Sequence, residues 1–502
     1  MSNLFFWPAL ALTALLAYLP ALHSYFVKDD IILILSAQIT WPNLLTHSWP
    51  GGFFRPTAEM LFASQYALFG LNALPYHALS LGAHALTTFF LYLFLLRLLT
   101  DRNQSRICAL IFALHPLHTE SVSWISGQMS LFAGLCTLLL LYLSCREHSF
   151  WRATTILITT IGLGFYESFA AAPILWVTLY GYIPRIRRHV RPIALTIATL
   201  SVALPTSAYF YWRFAILGLK GGNYTVVPSI ETALTNLFYY LYLLIGGSAM
   251  GGRILYYQPT QIFSTTHFLH VFPPLFIASI ILLVIISTLY VRRQIQGVNT
   301  RISKEALLPI IWLLAALLPA LILPERPRRL AYTSVPAFAI LVTASFSYLQ
   351  HKTRHGVIFT RAGLLFYLLI MTATLYARNR DWQTASIIER EMTTLIAPAQ
   401  ECASVVIDAP NLLGDALFFN SLSTERWLDL STGRRLPIYD AHQVQPHQSL
   451  PLPTCYFRYA NGKFVSTNPE TIPYYIRGKN WTTTPTSQPH QSPPNSSPPP
   501  SH

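Results

Sequence analysis

Apolar stretches of about 20 residues, the length that crosses a hydrocarbon core of roughly 30 Å, recur along this chain from its N-terminus to Ala377. Short loops rich in arginine separate many of them. Only 11% of the 502 residues are charged, whereas 53% are apolar and 14% are aromatic. This balance predicts an all-α polytopic membrane protein rather than several soluble domains.

The formal net charge of +14 could indicate a nucleic-acid partner, but its distribution argues against one. Basic residues cluster in short loops between apolar stretches, as expected for loops that stay in the cytoplasm. We therefore expect membrane lipids, and no nucleic acid, as partners. The five clusters are Arg97, Arg102 and Arg106; Arg146 and Arg152; Arg185, Arg187, Arg188 and Arg191; Arg292, Arg293, Arg301 and Lys304; and Lys352, Arg354 and Arg361.

Placing these five loops inside predicts about 11 crossings, the first of them an uncleaved span. Residues 237–245 do not fit as a crossing, because one there would move the loop at Arg292 to the wrong side. They are interpreted as an interfacial helix. The predicted spans are 5–25, 76–96, 107–117, 129–145, a hairpin over 153–182, 192–214, 267–291, 307–323, 330–349 and 357–377.

This path predicts a transmembrane domain over residues 1–377 and leaves two large segments on the exported side. The first is the loop 27–74, whose prolines and glycines predict short helices on the membrane surface. The second, 378–481, is predicted to be a small exported α/β domain. Residues 482–502, rich in Pro, Ser and Thr, predict a disordered tail.

Within the exported C-terminal segment, a helical pattern at 382–395 precedes a strand-like run at 405–407. Cys402 and Cys455 lie in this segment and could pair if it is exported, because disulfides persist in oxidising compartments.

Asp29 and Asp30 stand side by side at the outer end of the first predicted span. Carboxylates are costly to hold near lipid, so such positions are candidates for function; a solvated loop is the alternative. Arg55 lies further along the same exported loop. Its guanidinium group could bind a phosphate, or its charge could simply reach water at the interface.

The segment His115-Pro-Leu-His-Thr-Glu120 follows the third predicted span. Its side chains are of the types that bind zinc, but the spacing is not a standard metal pattern, and hydrogen bonds at a helix end explain it equally well. We therefore predict no metal site at this string. Glu167 lies in the outer turn of the hairpin, as a paired carboxylate or a loop tip.

Several arginines are retained in the outward turn before the tenth predicted span, against the usual preference for basic residues inside. A phosphate on a lipid would explain them, and a salt-bridged loop is the alternative. The residues are Glu325, Arg326, Arg328 and Arg329, with Tyr332 following.

These candidates and several short motifs, taken in order over residues 26–382, resemble the membrane half of the transmembrane and tetratricopeptide-repeat O-mannosyltransferases and their bacterial relatives. The His-Pro-x-His-Thr-Glu string is the most specific of them. The matching elements are Phe26-Val-Lys-Asp-Asp30, Phe54-Arg-Pro56, Gln65-Tyr66, Tyr76-His77, His84-Ala85, His115-Pro-Leu-His-Thr-Glu120, Trp124-Ile-Ser-Gly127, Glu167, Arg329, Tyr332, Arg378-Asn379 and Trp382.

The resemblance implies a GT-C glycosyltransferase fold, a polyprenyl-phosphate sugar donor and catalysis on the lumenal or periplasmic side. It implies that Asp29 and Asp30 supply the catalytic carboxylate and that Arg55 lies near the donor phosphate. Arg329 is a further candidate for the phosphate. Supporting roles at the donor or acceptor site are expected for His115, His118, Glu120, Glu167 and Tyr332.

Two motifs depart from the family pattern. Gly127-Gln-Met-Ser130 stands where the family has Gly-Arg-x-Asp/Glu, and Tyr166-Glu167 stands where it has a Lys-Glu pair. No tetratricopeptide repeats follow in the sequence.

The expected reaction is an inverting transfer of a sugar, with mannose as one candidate, to a protein, lipid or glycan acceptor. An aspartate acts as general base; no cofactor is required, and a divalent metal is left open. A transporter or flippase of lipid-linked sugars, a polysaccharide polymerase or ligase, and a non-catalytic relative are the alternatives. A transporter should carry ionisable groups near mid-span and on both faces, whereas these candidates gather at one face.

The arginine-rich loops and missing repeats favour a bacterial inner membrane, with the active site facing the periplasm. Asn223-Tyr-Thr225 and Asn480-Trp-Thr482 would be glycosylation acceptors if the membrane were that of the endoplasmic reticulum.

Overall fold

The computed structural model describes residues 3–40, 43–49, 52–99, 101–144, 150–182, 192–219, 229–245, 308–323, 326–352, 356–397, 401–409, 412–413, 416–441, 444, 449–460 and 462–468. Outside these ranges fall the predicted span 267–291, the basic residues Arg146, 185–191, 292–304 and Arg354, Glu325, both acceptor sequons and the tail 482–502. The chain divides into two compact units, Met1–Ile387 with Leu412–Phe418, and Ile388–Asn411 with Phe419–His502.

Helices account for most of the described chain up to residue 396. They are α1 Asn3–Leu22, α2 Asp30–Thr40, α3 Pro56–Phe69, α4 Ala73–Leu98, α5 Arg102–Ala113, α6 Thr119–Val122, α7 Gln128–Ser144, α8 Phe150–Phe165, α9 Ala171–Tyr182, α10 Pro192–Tyr211, α11 Ile230–Leu244, α12 Leu308–Leu321, α13 Val335–Lys352 and α14 Gly356–Ile396. Four 3-10 turns, Pro116–His118, Ile125–Gly127, Glu167–Ala170 and Arg328–Ser334, and one π-helical turn, Trp212–Ile216, join them at the candidate site.

Four helical segments in the described ranges are long and apolar enough to cross a membrane, namely Ala73–Leu98, Ile125–Leu143, Arg328–Ser347 and Val357–Ile396. Large apolar side chains stay exposed along the last of them, including Phe359 and Phe366. A bilayer would cover these side chains, because water would otherwise surround a continuous apolar helix face. The chain is an integral membrane protein, and the number of 11 crossings stays a prediction.

The last helix of the membrane region continues past the predicted end of its span. We predicted a span ending at Ala377 and a helical segment from Trp382, and α14 joins the two as one helix of 41 residues. The polar residues between them lie within this helix. They stay helical because Arg378 and Asn379 find partners inside the unit: Nη1 of Arg378 donates to the carbonyl of Pro116 (3.0 Å), and Nδ2 of Asn379 donates to that of Ala17 (2.8 Å).

The stretch interpreted as an interfacial helix forms the second half of α11. Its Tyr239 and Tyr240 are buried, and the helix packs on α12, where Nδ2 of Asn236 donates to the carbonyls of Ala320 (3.0 Å) and Leu323 (2.6 Å). Protein rather than a membrane surface therefore covers this face of the helix.

The second unit contains a small α/β fold, as predicted. Its sheet has four strands, β1 (Ser404–Asp408), β4 (Ile438–Asp440), β5 (Thr454–Ala460) and β6 (Lys463–Thr467). Their order is β4-β1-β5-β6, with β1 parallel to both neighbours and β5 antiparallel to β6. Cys402 and Cys455 form a disulfide with their Cα atoms 5.7 Å apart. The remaining elements are β2 Leu412–Leu413, β3 Ala416–Leu417 and α15 Ser421–Thr432, of which β2 and β3 belong to the first unit.

Candidate functional site

Asp30 anchors the first exported loop to the turn that precedes α7. Its side chain is only 1% exposed, and both carboxylate oxygens accept hydrogen bonds. Oδ1 accepts from the backbone N (2.8 Å) and Oγ (2.5 Å) of Ser126, and Oδ2 accepts from the backbone N of Val27 (2.9 Å). Burial raises the pKa of Asp30 to about 7, although these hydrogen bonds act in the opposite direction.

Asp29 has different surroundings from its neighbour. Its side chain is half-buried, and the residue before it, Lys28, has a φ of 54°, in the left-handed region that residues other than glycine rarely adopt. Backbone held in such a conformation often marks a functional turn. The tight turn therefore separates one fully buried carboxylate from one that keeps access to the surface.

Residues 124–127 connect the loop that contains Asp29 and Asp30 to Glu120, another candidate residue. Nε1 of Trp124 donates to the carbonyl of Val27 (3.3 Å). Gly127 packs so closely that a Cβ at this position would lie 2.0 Å from the carbonyl oxygen of Glu120. Only glycine fits without a backbone shift, so Gly127 keeps the two turns in contact.

Glu120 and Arg329 form an ion pair between Oε1 and Nη1. The other carboxylate oxygen, Oε2, accepts a hydrogen bond from the backbone N of Arg328 (2.9 Å). Cζ of Arg329 lies 5.2 Å from the ring centroid of Trp124, and its Nε donates to the hydroxyl of Tyr166 (3.1 Å). The ion pair, the indole ring and the phenol thus orient this arginine from three directions.

Arg55 and Arg213 share the carboxylate of Glu167. Nη2 of Arg55 lies 2.7 Å from Oε2, and Nη1 of Arg213 lies 2.7 Å from Oε1. Burial alone would raise the pKa of Glu167, but the two guanidinium groups outweigh it and lower the pKa to about 2. Two buried cations with one anion leave this triad with a net positive charge.

Tyr166 joins the two clusters. Cζ of Arg55 lies 4.4 Å from its ring centroid, and the same side chain binds Arg329 through its hydroxyl. The sequence-predicted phosphate ligands, Arg55 and Arg329, are therefore held about a single aromatic ring. Tyr166 occupies this position where the family pattern has a lysine.

His115, His118 and Tyr332 lie in the interior of the bundle. Nε2 of His115 donates to the carbonyl of Leu244 (2.8 Å), while its Nδ1 accepts from the backbone N of Leu117 (3.2 Å). The ring centroids of His118 and Tyr332 are 4.5 Å apart, and both side chains are buried. These contacts hold the three side chains in place by packing and hydrogen bonds, and their supporting role at the donor or acceptor site stays a prediction.

A metal site at the His115-Pro-Leu-His-Thr-Glu120 string would need the ring nitrogens of His115 and the carboxylate of Glu120. Both groups already take part in the hydrogen bonds and ion pair described above. Throughout the part of the chain that the structure describes, no three His, Cys, Asp or Glu side chains come together as ligands.

The departure at Gly127-Gln-Met-Ser130 corresponds to an uncharged, buried network. Nε2 of Gln128 donates to the carbonyl of Tyr76 (2.9 Å) and to Oγ of Ser80 (2.9 Å), and its Oε1 accepts from Nε2 of Gln65 (2.9 Å). The amide satisfies these groups without introducing a charge.

Arg213 and Tyr166 were not among the sequence candidates. Arg213 lies at the outer end of the predicted span 192–214, where an arginine retained on the exported side is as unexpected as Arg329. The same reasoning about charge and topology would have identified it. Tyr166 has no charge to single it out, and its only signal in the sequence is that it stands where the family pattern has a lysine.

Comparisons with known proteins relate part of the chain to glycosyltransferases. It is 32% identical over 164 residues to Protein O-mannosyl-transferase Tmtc1 of Drosophila melanogaster, covering 30% of this chain and 19% of that protein. It is 37% identical over 99 residues to Protein O-mannosyl-transferase TMTC2 of Homo sapiens, covering 20% of this chain and 12% of that protein. The chain thus matches less than a fifth of the length of these relatives. No family model matches it.

Among solved structures, the chain is similar to the Archaeoglobus fulgidus oligosaccharyltransferase tethered with an acceptor peptide, with a TM-score of 0.51 and 12% identity. The likeness covers 89% of this chain and 65% of that one, and at this identity it shows the fold alone. The chain is therefore similar over part of its length to protein O-mannosyl-transferases, and it shares the fold of this membrane-embedded oligosaccharyltransferase.

Proposed function

We propose that this protein transfers a sugar, with mannose as the first candidate, from a polyprenyl-phosphate donor to an acceptor on the periplasmic side of a bacterial inner membrane. The observation that carries the proposal is the cationic site built from Arg55 and Arg329 about Tyr166, connected through residues 124–127 to the Asp29–Asp30 turn. Relatives named as O-mannosyl-transferases support mannose and a protein acceptor.

The reaction needs a base at one end and charge stabilisation at the other. Asp29 takes the proton of the acceptor hydroxyl while that oxygen attacks the anomeric carbon. The bond between the anomeric carbon and the donor phosphate oxygen breaks, and its electron pair leaves with the phosphate. A single displacement of this kind inverts the anomeric configuration, so a product with retained configuration would contradict it.

Asp30 positions the base rather than acting as one. Both of its oxygens are occupied by donors from Val27 and Ser126, so it holds the backbone on which Asp29 stands. Arg55 and Arg329 stabilise the charge that develops on the departing phosphate, where preorganised cations act most strongly. The scheme routes no step through a metal, and transfer in the presence of EDTA is expected to persist.

The experiment is reconstitution of the purified protein in proteoliposomes with a radiolabelled polyprenyl-phosphate mannose and a peptide rich in serine and threonine. Labelled glycopeptide, identified by mass spectrometry, is the expected product. Asp29→Asn should lower its rate of formation at least about 100-fold, whereas Asp101→Asn, a change at the exposed N-cap of α5 that retains the capping oxygen, should leave the rate unchanged. Equal product from the Asp29→Asn and wild-type proteins would refute the assignment of the base.

A further inference from the structure

Arg213 is displayed by an unusual turn at the end of α10. The five residues Trp212–Ile216 form a π-helical turn, a local widening of a helix that is often found at functional sites. The side chain of Arg213 is 4% exposed, whereas its neighbours Trp212 and Phe214 are 39% and 52% exposed. A buried cation therefore lies beside apolar side chains that remain open.

The hydrogen bonds of Arg213 leave its buried Nε without an acceptor among the described residues. Nη1 lies 2.7 Å from Oε1 of Glu167 and 3.4 Å from the hydroxyl of Tyr209. Nε is buried and has no hydrogen-bond partner among the described residues. A buried charged donor is costly to leave unsatisfied, so an oxygen-rich anion at this edge of the guanidinium group would be stabilised.

Tyr209 and Glu167 bring Arg213 and Arg55 to the same place. The hydroxyl of Tyr209 donates to the carbonyl of Phe54 (2.8 Å), directly before Arg55, and Glu167 binds both guanidinium groups. The three charges sum to about +1, because the low pKa of Glu167 keeps it ionised. One phosphodiester carries about one negative charge, and it gains a second as the sugar leaves.

We infer that Arg213 is a second phosphate ligand of the lipid-linked donor, paired with Arg55, and that the donor's isoprenoid chain runs over the exposed side of Trp212 and Phe214. Glu167 is the positioning residue that holds the two guanidinium groups together. The inference rests on the proposed function for the class of donor, and it adds the residue and the surface that recognise it.

The test is a binding experiment that does not depend on sugar transfer. Undecaprenyl phosphate is titrated into the full-length protein in lipid nanodiscs, and binding is measured by tryptophan fluorescence and native mass spectrometry. Arg213→Gln should weaken binding about 10- to 100-fold, as expected for the loss of a hydrogen bond between charged groups. Arg213→Lys should recover part of the affinity, and Arg361→Gln, a change at an exposed arginine in the first turns of α14, should bind like the wild type.

Two further ligands distinguish a lipid phosphate from phosphate alone. Undecaprenol, which lacks the phosphate, should bind weakly and equally to wild type and Arg213→Gln, and inorganic phosphate should compete only at far higher concentration. Equal affinity of wild type and Arg213→Gln for undecaprenyl phosphate would overturn the inference. Inorganic phosphate competing as well as the lipid would overturn the role of the isoprenoid surface.

Folding and function are separated by two controls. If Arg213→Gln lowers the melting temperature, Arg213→Lys, which keeps a positive charge beside Glu167, is titrated in its place and should still bind more weakly than the wild type. Arg213-dependent binding without any transfer by the wild type would support the phosphate site and refute the proposed function. If the wild type transfers the sugar but Arg213→Gln binds the donor as tightly as the wild type does, the proposed function would be supported and the phosphate site at Arg213 refuted.

Discussion

The hydroxyl of Tyr166 accepts a hydrogen bond from Nε of Arg329 over 3.1 Å, although the two residues lie 163 positions apart. The same tyrosine ring lies 4.4 Å from Cζ of Arg55. One aromatic side chain therefore sets the spacing of Arg55 and Arg329, which are far apart in the sequence of the first unit. Since phosphate recognition depends on where the guanidinium groups point, this contact is central to the proposed site.

Tyr166→Phe should weaken donor binding while the protein stays folded. The change removes the hydroxyl that orients Arg329 and keeps the ring beside Arg55, so we expect KM for the donor to rise at least about 10-fold from the loss of one hydrogen bond to a charged group. Steady-state kinetics in proteoliposomes measure it. Tyr376→Phe, on an exposed position of α14, is the matched control. An unchanged KM would mean that Arg329 is oriented without Tyr166.

Asp29→Asn and Asp30→Asn should fail in different ways. Without its base, Asp29→Asn should lose about 10²- to 10⁴-fold in kcat at an unchanged melting temperature. Asp30→Asn replaces a buried acceptor oxygen with an amide NH₂ that faces backbone and hydroxyl donors, which should cost about 1–3 kcal/mol of stability. Thermal unfolding and kinetics on both variants separate the roles. If Asp30→Asn lost kcat and Asp29→Asn lost stability instead, Asp30 would be the base and Asp29 its positioning residue.

The pH dependence of stability should report the burial of Asp30. Its pKa of about 7 in the folded protein lies above the ordinary value near 3.8, so the folded state binds this proton more tightly. The stabilisation is complete below about pH 4 and is lost as the pH rises through 7. Wild-type melting temperature should therefore fall between pH 5 and 8 more than that of Asp30→Asn. If the melting temperatures of the wild type and Asp30→Asn changed equally with pH, the raised pKa of Asp30 would be contradicted.

Glu167→Gln should destabilise the protein by about 3 kcal/mol at neutral pH, because it leaves two buried guanidinium groups without their shared anion. The pKa of Glu167 is lowered to about 2 from 4.5, so its stabilising effect is complete above about pH 4.5 and is lost as the pH falls through 2. The gap in melting temperature between wild type and variant should narrow over that range. Glu391→Gln, at an exposed position of α14, should show neither effect.

The disulfide between Cys402 and Cys455 should stabilise the C-terminal unit and report its compartment. It closes a loop with a sequence separation of 53 residues, for which chain entropy predicts about 4 kcal/mol. Cys402→Ser should lower the melting temperature of this unit. In the wild-type protein, maleimide should label Cys402 and Cys455 only after the disulfide is reduced. Cys108 and Cys136 are buried free thiols in the first unit. Reduced Cys402 in freshly isolated membranes would argue against export.

Much of the architecture was predictable because it depends on local properties of the sequence. The length of an apolar stretch decides whether it can cross a bilayer, and the arginines beside it favour one orientation. Asp29, Arg55, Glu120 and Arg329 became candidates in this way, since each is an ionisable residue that the loop charges placed on the exported side. The sequence did not reveal that the helix continues through Arg378, because the partner of this arginine, the carbonyl of Pro116, is distant in the sequence.

The tertiary structure alone decided which of these residues meet. Asp30 is buried because Ser126, 96 positions away, supplies its donors, and this separates its role from that of Asp29. Glu167 binds Arg55 and Arg213 across separations of 112 and 46 positions. Such pairings follow from how helices pack and how irregular turns aim their side chains, and neither hydropathy nor loop charge contains that information.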